Sequence, residues 1–342
     1  MTIKETSPEK IFAILSKQLV NSTLPVLIRE FDFFNELTKI EPASIEKIAD
    51  HFKFDKRVLD AVLSYLLKEG FIETTNKASQ EYKLAPLARE YLIKNSKYDL
   101  SKFTLIFSGN LLKKVENSIS FALKTGKPAG WNEAETWEEG MTSGSIAKTF
   151  SEGLMSKGKY SADKLAISLN KVISRYTNLI DIGGSLGDYC GKFTEKFPNL
   201  SCTVYDLPKV IEHAKENIIK MRYKRVSTIA GDMFKENLPK NFDIHFYSNV
   251  FHDWTQDQIV ELLKKSYGSL NNNGIVIIND LHLNNDKQSP NFAIDHSLYL
   301  SIFTDGKCYS YKEIENMIKH AGFKKVKIEK PIAGYSVIIG YK

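Results

Sequence analysis

Glycines and acids follow three successive apolar runs in the second half of the chain. The first run leads into the glycine-rich turn Gly183–Gly187, Asp206 ends the second run, and Asp232 follows the third. Glycines let a ligand approach the backbone where a Cβ would collide, and a carboxylate at the next strand end can accept both hydroxyls of a ribose. Asp232 is placed to accept from an adenine amino group, beside the apolar side chains of Met233 and Phe234. The spacing therefore predicts a nucleoside site.

Asp181 lies within the first apolar run, two residues before the glycine turn. Its carboxylate would repel a pyrophosphate, whereas it can bind the amides of the turn or the ammonium group of an amino acid. This charge favours S-adenosylmethionine over NAD as the ligand.

A histidine follows the fourth apolar run, in the segment His252–Trp254. Methyl transfer from a sulfonium requires an aligned nucleophile and removal of its proton. An imidazole titrates near pH ~6.5 and a phenol near pH ~10, so His252 can act as a general base at neutral pH.

Other titratable residues near this segment are interpreted differently. His245 lies inside the fourth run and is interpreted as structural. Asp280, His282 and Asp286 lie close together in the sequence, but their spacing matches no standard metal-ligand set. A metal site is therefore the weaker interpretation of these three residues.

Short apolar strands alternate with amphipathic helices from about residue 161, which predicts a doubly wound, Rossmann-like parallel α/β sheet. The predicted strands are Leu179–Ile182, Cys202–Tyr205, Val226–Ile229, Ile244–Tyr247 and Ile275–Ile278, and the predicted helices include Asp257–Leu270 and Lys312–Ala321. Only a few residues separate Lys325–Ile328 from Tyr335–Gly340, which is too short for a parallel crossover. The last strand is therefore predicted to run antiparallel to its neighbours.

The first 100 residues predict helices followed by a small hairpin. Ser44 can cap a short helix, and Gly70 ends a later helix before the hairpin begins. Apolar stripes at helical spacing are formed by Ile11, Ile14, Leu15 and Leu19, and by Leu59, Val62, Leu63, Leu66 and Leu67. This order is typical of a winged helix-turn-helix.

Composition narrows the class of protein. The chain of 342 residues is 42% hydrophobic and 26% charged, and its 47 basic and 41 acidic residues leave a net charge of +6. Such a mild excess does not demand nucleic acid as a partner. No apolar stretch approaches the ~20 residues of a membrane helix, and the start shows no secretory signal. Three cysteines without metal-ligand spacing predict reduced thiols in a cytoplasmic protein.

Five segments, in this order, resemble the class I S-adenosylmethionine-dependent O-methyltransferases of the plant caffeate and bacterial small-molecule type. The segments are Asp181–Gly187, Tyr205–Pro208, Gly231–Phe234, His252–Trp254 and Gly274–Asp280. The resemblance covers nearly the whole chain. It implies that residues 1–100 form a winged-helix domain for homodimerisation, which also shapes the partner's substrate pocket. It implies that residues 101–342 form a helical connector and a methyltransferase domain, with its Rossmann-like core from about residue 161.

The resemblance also assigns roles to single residues. Gly183 and Gly184 are implied to approach the methionine part of the cofactor, and Asp206 to hold its ribose. His252 matches the base of the family, and Asp280 matches an acid that orients this base. The cofactor-binding residues expected in all are Asp181, Gly183, Gly184, Asp206, Leu207, Asp232, Met233, Phe234 and Ser248, and those expected to line the acceptor pocket are Phe150, Met155, Trp254, His296, Tyr299 and Phe303.

The leading interpretation is a cytoplasmic, metal-independent enzyme that moves a methyl group to a hydroxyl of an aromatic or polyketide-like small molecule. Two positions depart from the family pattern. Ser248 stands where plant relatives carry a lysine, and Cys308 stands where the family has a glutamate that supports the base. The second departure leaves C- or N-methylation, or a non-methylating relative of the same fold, as an alternative.

A DNA-binding regulator is the alternative from a different class. Lys53, Lys56 and Arg57 lie near the recognition helix of the predicted winged helix. Asp55 and Asp60 interrupt this basic surface, although a DNA-reading helix needs a net cationic face. The enzyme interpretation is therefore favoured.

Overall fold

A computed structural model describes residues 17, 23–75, 81–102, 118, 122–123, 125–128, 161–332 and 335–342. Among these, the residues up to 102 belong to one compact unit and those from 118 onward to a second. The apolar stripe predicted at 11–19 and most of the predicted helical connector lie outside the described residues. No helix in the described ranges is long and apolar enough to cross a membrane.

The first unit has the order of helices and hairpin that the sequence predicts. Its elements are α1 (Thr23–Arg29), α2 (Phe33–Ile40), α3 (Ile45–Phe52), α4 (Lys56–Lys68), β1 (Ile72–Thr74), β2 (Tyr82–Leu84) and α5 (Pro86–Tyr91). Ser44 caps α3 as predicted, because its Oγ accepts from the amide of Lys47 at 3.3 Å. Gly70 follows α4 with φ +76°, a conformation that glycine adopts without strain.

The predicted apolar stripe on α4 forms part of the core of this unit. Leu59, Leu63 and Leu66 are buried, at the spacing of one helix face. Leu67 is 36% exposed, since it lies one position off that face. The buried part of the predicted five-residue stripe is therefore limited to the residues that lie on one helix face.

The described part of the second unit is built on one sheet with helices on its faces. The strands are β3 (Asn178–Ile182), β4 (Ser201–Asp206), β5 (Val226–Ala230), β6 (Phe242–Ser248), β7 (Leu270–Asp280), β8 (Lys325–Ile332) and β9 (Tyr335–Tyr341). The helices are α6 (Asn170–Ile173), α7 (Asp188–Lys196), α8 (Pro208–Met221), α9 (Gln256–Ser269), α10 (Asn291–Phe303) and α11 (Tyr311–His320). A 3₁₀ turn, Phe251–Asp253, follows β6.

The strand order in this sheet is β5-β4-β3-β6-β7-β9-β8. The first five strands are parallel, and β9 runs antiparallel to both β7 and β8. This confirms the predicted α/β fold with an antiparallel last strand. The order reverses between β3 and β6, and open sheets of this type bind ligands at the carboxyl ends of the strands beside such a reversal.

Both faces of the sheet are buried, which explains why its strands are nearly continuous apolar runs. In β3, Ile180 and Ile182 enter one core cluster while Leu179 enters the other. In β7, Val276 and Ile278 alternate with their neighbours in the same way. The packed faces leave the carboxyl edge as the place where polar side chains gather.

Hydrogen-bonded caps start two helices on one face of the sheet. Thr255 and Gln258 form a reciprocal capping box at the start of α9. Ser310 and Glu313 form a second one at the start of α11. Each box satisfies amides that the first helical turn would leave unbonded, so both helices have fixed starting points close to the carboxyl edge.

Candidate active site

Two glycines in the turn after β3 have no room for a Cβ. Gly183 has φ +72°, and a Cβ there would lie 2.9 Å from the side chain of Val250. A Cβ on Gly184 would lie 2.8 Å from the carboxyl carbon of Asp181. The amide of Gly183 donates to the carbonyl of Tyr205 at 2.8 Å, which ties the turn to β4. Both positions therefore require glycine for the turn to pack against its own neighbours.

Asp206 lies beside this turn and is held by two backbone amides. Its Oδ2 accepts from the amide of Ser185 at 2.9 Å, and its Oδ1 accepts from the amide of Leu207 at 2.8 Å. Burial raises the pKa of Asp206, while the two amides oppose the rise. The carboxylate is thus oriented by the chain itself.

Asp232 follows β5 and caps its own turn. Its Oδ1 accepts from the amides of Phe234 and Lys235 at 2.9 and 3.2 Å, and Lys235 Nζ lies 3.0 Å from its Oδ2. Burial alone would raise the pKa of Asp232, but the ammonium of Lys235 and the two amides lower it. A Cβ at the preceding Gly231 would overlap the hydroxyl of Tyr205, so this position also needs glycine.

Asp181 is buried below the glycine turn, with 1% of its surface exposed. Burial, followed by the negative charge of Asp206, raises the pKa of Asp181 to about 8. The thiol of Cys190 lies 3.9 Å from its Oδ2. The carboxyl group therefore favours its neutral form until a cation comes near.

The 3₁₀ turn after β6 places His252 against the end of β7. His252 is 7% exposed, and its Nδ1 lies 2.5 Å from Oδ1 of Asp280. The amide of Leu281 donates to the same oxygen at 2.8 Å. Burial would raise the pKa of Asp280, but the positive charge and hydrogen bond of His252 hold it below its usual range. Sequence and structure thus bring together the two residues predicted to act as base and orienting acid.

Asp253 is a site residue that the sequence interpretation did not single out. Its Oδ1 lies 3.8 Å from Nε2 of His252, on the side of the ring opposite Asp280. Burial raises the pKa of Asp253 to about 6, with His252 opposing the rise and Asp280 adding to it. The signal was present in the sequence, since Asp253 directly follows His252, but adjacency alone does not show where a side chain lies.

Aromatic rings on α10 form a row, and one of its inner members lies beside His252. Phe292 stacks on His296, His296 stacks on Tyr299, and Tyr299 meets Phe303, with centroids 6.0, 6.0 and 5.0 Å apart. The ring of His296 meets that of His252 edge-on at 5.7 Å. Three of the predicted acceptor residues therefore belong to one row, which Phe292 extends.

The remaining predicted acceptor residues do not join this row. Trp254 packs edge-on against Phe234 at 4.5 Å, next to the turn that carries Asp232. Phe150 and Met155 lie outside the described residues. Scattered positions of this kind depend on tertiary packing, which residue spacing does not reveal.

A polar cluster at the ends of β6 and β7 includes the predicted Ser248. The side-chain Nδ2 of Asn279 donates to the hydroxyl of Ser248 at 2.9 Å and to the hydroxyl of Tyr189 at 3.3 Å. Burial raises the pKa of Tyr189 to about 12, so it stays a hydrogen-bonding phenol. Asn279 lies in the segment Gly274–Asp280 that resembles the family, whereas no spacing in the sequence indicates Tyr189.

Cys308 is buried among apolar side chains, with its amide bonded to Ser297 Oγ at 3.2 Å. Asp280 and His282 are buried as well, whereas Asp286 is exposed. Within the parts of the chain that the structure describes, no group of three histidine, cysteine or acidic side chains is arranged to hold a metal ion.

Comparisons with known proteins concern the family and the fold of the chain. A family model of the O-methyltransferase domain matches residues 110–324. Acetylserotonin O-methyltransferase of Gallus gallus is 29% identical over 170 residues, which cover 50% of this chain and 49% of that protein. A 3-hydroxy-5-methyl-1-naphthoate 3-O-methyltransferase of Streptomyces sahachiroi is 30% identical over 202 residues, which cover 59% of this chain and 57% of that protein. The chain thus spans about half the length of these relatives.

The fold is similar to that of human N-acetylserotonin methyltransferase, solved in complex with S-adenosylmethionine. The TM-score is 0.82 at 18% identity, and the match covers 100% of this chain and 99% of that one. At this identity the likeness concerns the fold alone. The family model, however, matches more than half of the chain. The chain therefore belongs to the family of S-adenosylmethionine-dependent O-methyltransferases.

Proposed function

We propose that the protein moves the methyl group of S-adenosylmethionine to a hydroxyl of an aromatic or polyketide-like small molecule. The observation that carries this proposal is the 2.5 Å contact between His252 Nδ1 and Asp280 Oδ1. His252 lies two residues after Val250, whose side chain packs on Gly183. The names of two relatives support the acceptor class, since acetylserotonin and a hydroxynaphthoate are hydroxylated aromatic compounds.

The residues around the glycine turn fit the methionine and ribose parts of this cofactor. Gly183 and Gly184 carry no side chain, so their backbone could lie directly against the cofactor. Asp181 would pair with the amino group, Asp206 would accept from the ribose hydroxyls, and Ser248 would face the same site from the end of β6. When bound, the cofactor supplies an electrophilic methyl group.

The turn after β5 fits the adenine part. Asp232 would accept from the amino group of the ring, with Leu207, Met233 and Phe234 around it. Because Trp254 packs on Phe234, we assign Trp254 to this end of the site instead of to the acceptor pocket.

The His252–Asp280 pair would remove the proton of the acceptor hydroxyl. When Nδ1–H donates to the Asp280 carboxylate, Nε2 is the ring nitrogen that accepts a proton. The resulting imidazolium is stabilised by Asp280 on one side and by Asp253 on the other. General-base help of this kind contributes ~10²–10⁴ in rate. His296 would lie against the acceptor ring.

The test is methyl transfer from S-adenosylmethionine to a panel of phenols. We expect His252→Ala to lower turnover at least ~10-fold with little change in cofactor affinity, because the ring acts on the acceptor. His320→Ala, at the exposed end of α11, is the matched control and keeps the wild-type rate. A His252→Ala variant with full activity would show that alignment alone drives the reaction.

We also propose that the winged-helix unit pairs two copies of the chain and does not read DNA. The family resemblance supports this role, and in the described surface Lys56 lies 4.0 Å from Glu46, which offsets its charge. Light scattering should give the mass of two chains without DNA binding in a gel-shift assay. A mass of one chain would contradict the pairing.

A further inference from the structure

A second imidazole is buried behind the His252–Asp280 pair. His282 lies two residues after Asp280 and is 2% exposed. Neither of its ring nitrogens reaches hydrogen-bonding geometry with any group that the structure describes. Burying a polar group in this way is unfavourable, and an apolar side chain at this position would avoid that cost. Packing alone therefore does not account for a histidine at this position.

The contacts of His282 fix its ring against the end of β7. The ring stacks on Tyr311, with centroids 5.8 Å apart and planes inclined by 27°. The hydroxyl of Tyr311 bonds to that of Ser336 at 2.6 Å, and Ser336 is the cross-strand partner of Asp280. Backbone groups of Asp280 and Ser336 act to raise the pKa of His282, which places both residues near its ring. The imidazole thus packs beside the cross-strand pair of Asp280 and Ser336, and the Asp280 side chain of this pair contacts His252.

His252, Asp280 and His282 line the same small cavity. Its other lining residues are apolar or aromatic: Phe251, Leu281, Tyr309 and Ile314. In such surroundings water does not compete for the carboxylate, and electrostatic contacts are stronger than in solvent. A change in the position of His282 would therefore alter the electrostatic surroundings of His252 and Asp280.

The charged groups that face His282 are Asp280 and His252, and the phenols of Tyr309 and Tyr311 complete its surroundings. Burial lowers the pKa of His282 to about 4, against the opposing effect of Asp280. The ring is therefore neutral at physiological pH. A neutral ring supplies orientation and not a full charge.

We propose that His282 is a positioning residue, whose neutral ring holds Asp280 in the orientation that keeps Oδ1 on His252 Nδ1. The inference rests on the proposed function of His252 as the base. Without the imidazole, the carboxylate has room to rotate away from His252. The imidazolium form of His252 then loses part of its stabilisation, so His252 gives up its proton at lower pH.

The test is a pH titration of His252 in the full-length protein, monitored by NMR on histidine-labelled samples. The signal of His252 is assigned as the one that is missing in His252→Asn. In His282→Leu we expect the midpoint to fall by about one pH unit, and in His282→Gln, which keeps a polar group, by less. His245→Leu is the matched control, because His245 is equally buried but bonds Ser266 Oγ at 3.1 Å, outside the cavity. An unchanged midpoint in both His282 variants overturns the proposal. If the leucine variant does not fold, an unchanged midpoint in the glutamine variant does so alone.

Kinetics separate this role from a purely structural one. We expect His282→Leu to lower kcat about tenfold with KM for S-adenosylmethionine nearly constant, and to add nothing in an Asp280→Asn background. Losses that multiply in the double variant would contradict the proposal. The NMR midpoint does not depend on turnover. A wild-type protein that transfers no methyl group would therefore contradict the proposed function, whereas the titration would still test the role of His282.

Discussion

His252 lies between two carboxylates that come from different places in the chain. Asp280 engages Nδ1 from the end of β7, and Asp253 faces Nε2 from the same 3₁₀ turn. Cys308, where the family resemblance implies a glutamate, contributes no carboxylate. Asp253 lies on the other side of the ring, so the imidazolium still has an acid on each side.

Asp181 should make cofactor binding depend on pH. Burial, together with the charge of Asp206, raises the pKa of Asp181 to about 8, so the group is mostly protonated at pH ~7 in the cofactor-free protein. An ammonium group beside it favours the ionised form. Binding of S-adenosylmethionine near pH ~7 should therefore release nearly one proton per chain, measured by calorimetry in two buffers of different ionisation enthalpy. Asp181→Asn should remove this release, and a binding heat without buffer dependence in the wild type would contradict it.

The same carboxyl group should make stability depend on pH. Because its folded pKa lies above the ordinary value of 3.8, the stability present at low pH is lost as pH rises through about 8. Asp181→Asn lacks this loss, so its Tm should rise relative to wild type between pH ~5 and pH ~8. The gain should correspond to about 1 kcal/mol or more, since one pKa unit is ~1.4 kcal/mol. A constant Tm difference, measured without cofactor, would count against a raised pKa.

At the scale of elements, the segment between α10 and α11 fixes the 3₁₀ turn. A Cβ on Gly306 would overlap the carbonyl oxygen of His252, so Gly306→Ala must displace the turn. We expect turnover to fall at least ~10-fold while cofactor affinity is nearly kept, because misplacement of the base affects the proton step. Gly268→Ala, in α9 with nothing within 4 Å, is the control and should stabilise the helix by ~0.5–1 kcal/mol. Equal rates for both variants would refute this role of the segment.

Helix α9 holds the turn after β5 through one ammonium group. Lys265 Nζ donates to the carbonyls of Met233, Phe234 and Glu236 at 3.0, 2.5 and 3.1 Å. Lys265→Met removes these bonds, so we expect the dissociation constant of S-adenosylmethionine to rise about tenfold with kcat at saturation little changed. The measurement is calorimetric titration, with exposed Lys264→Met as the matched control. Unchanged affinity in Lys265→Met would contradict the assignment of this turn to the adenine.

Elements and strand ends could be predicted from the sequence because their signals are local. The apolar runs located β3 to β7 to within a few residues at most ends, and the glycine turn and Asp206 follow directly from them. Lys265, Gly306 and His282 gave no such signal as site residues. Their roles depend on contacts with residues far away in the chain, which spacing does not encode.

At the scale of the whole molecule, the site is a property of the sheet edge. Five parallel strands bring Asp181, Asp206 and Asp280 to one edge, although 99 residues separate the first from the last. The short connection before β9 predicted its antiparallel direction correctly. The acceptor pocket was harder to predict, because its expected residues come from separate segments: three form the row on α10, Trp254 packs on Phe234, and Phe150 and Met155 lie outside the described residues.

The claim on which the account depends is that these strand ends hold S-adenosylmethionine. The most direct measurement is calorimetric titration of the folded, full-length protein with this cofactor. We expect one site per chain in the wild type, affinity at least ~10-fold lower in Asp206→Ala, and unchanged affinity in Asp286→Ala, whose side chain is exposed on a loop. A folded wild-type protein that does not bind the cofactor, or an Asp206→Ala variant that binds it as tightly as the wild type, would contradict the account.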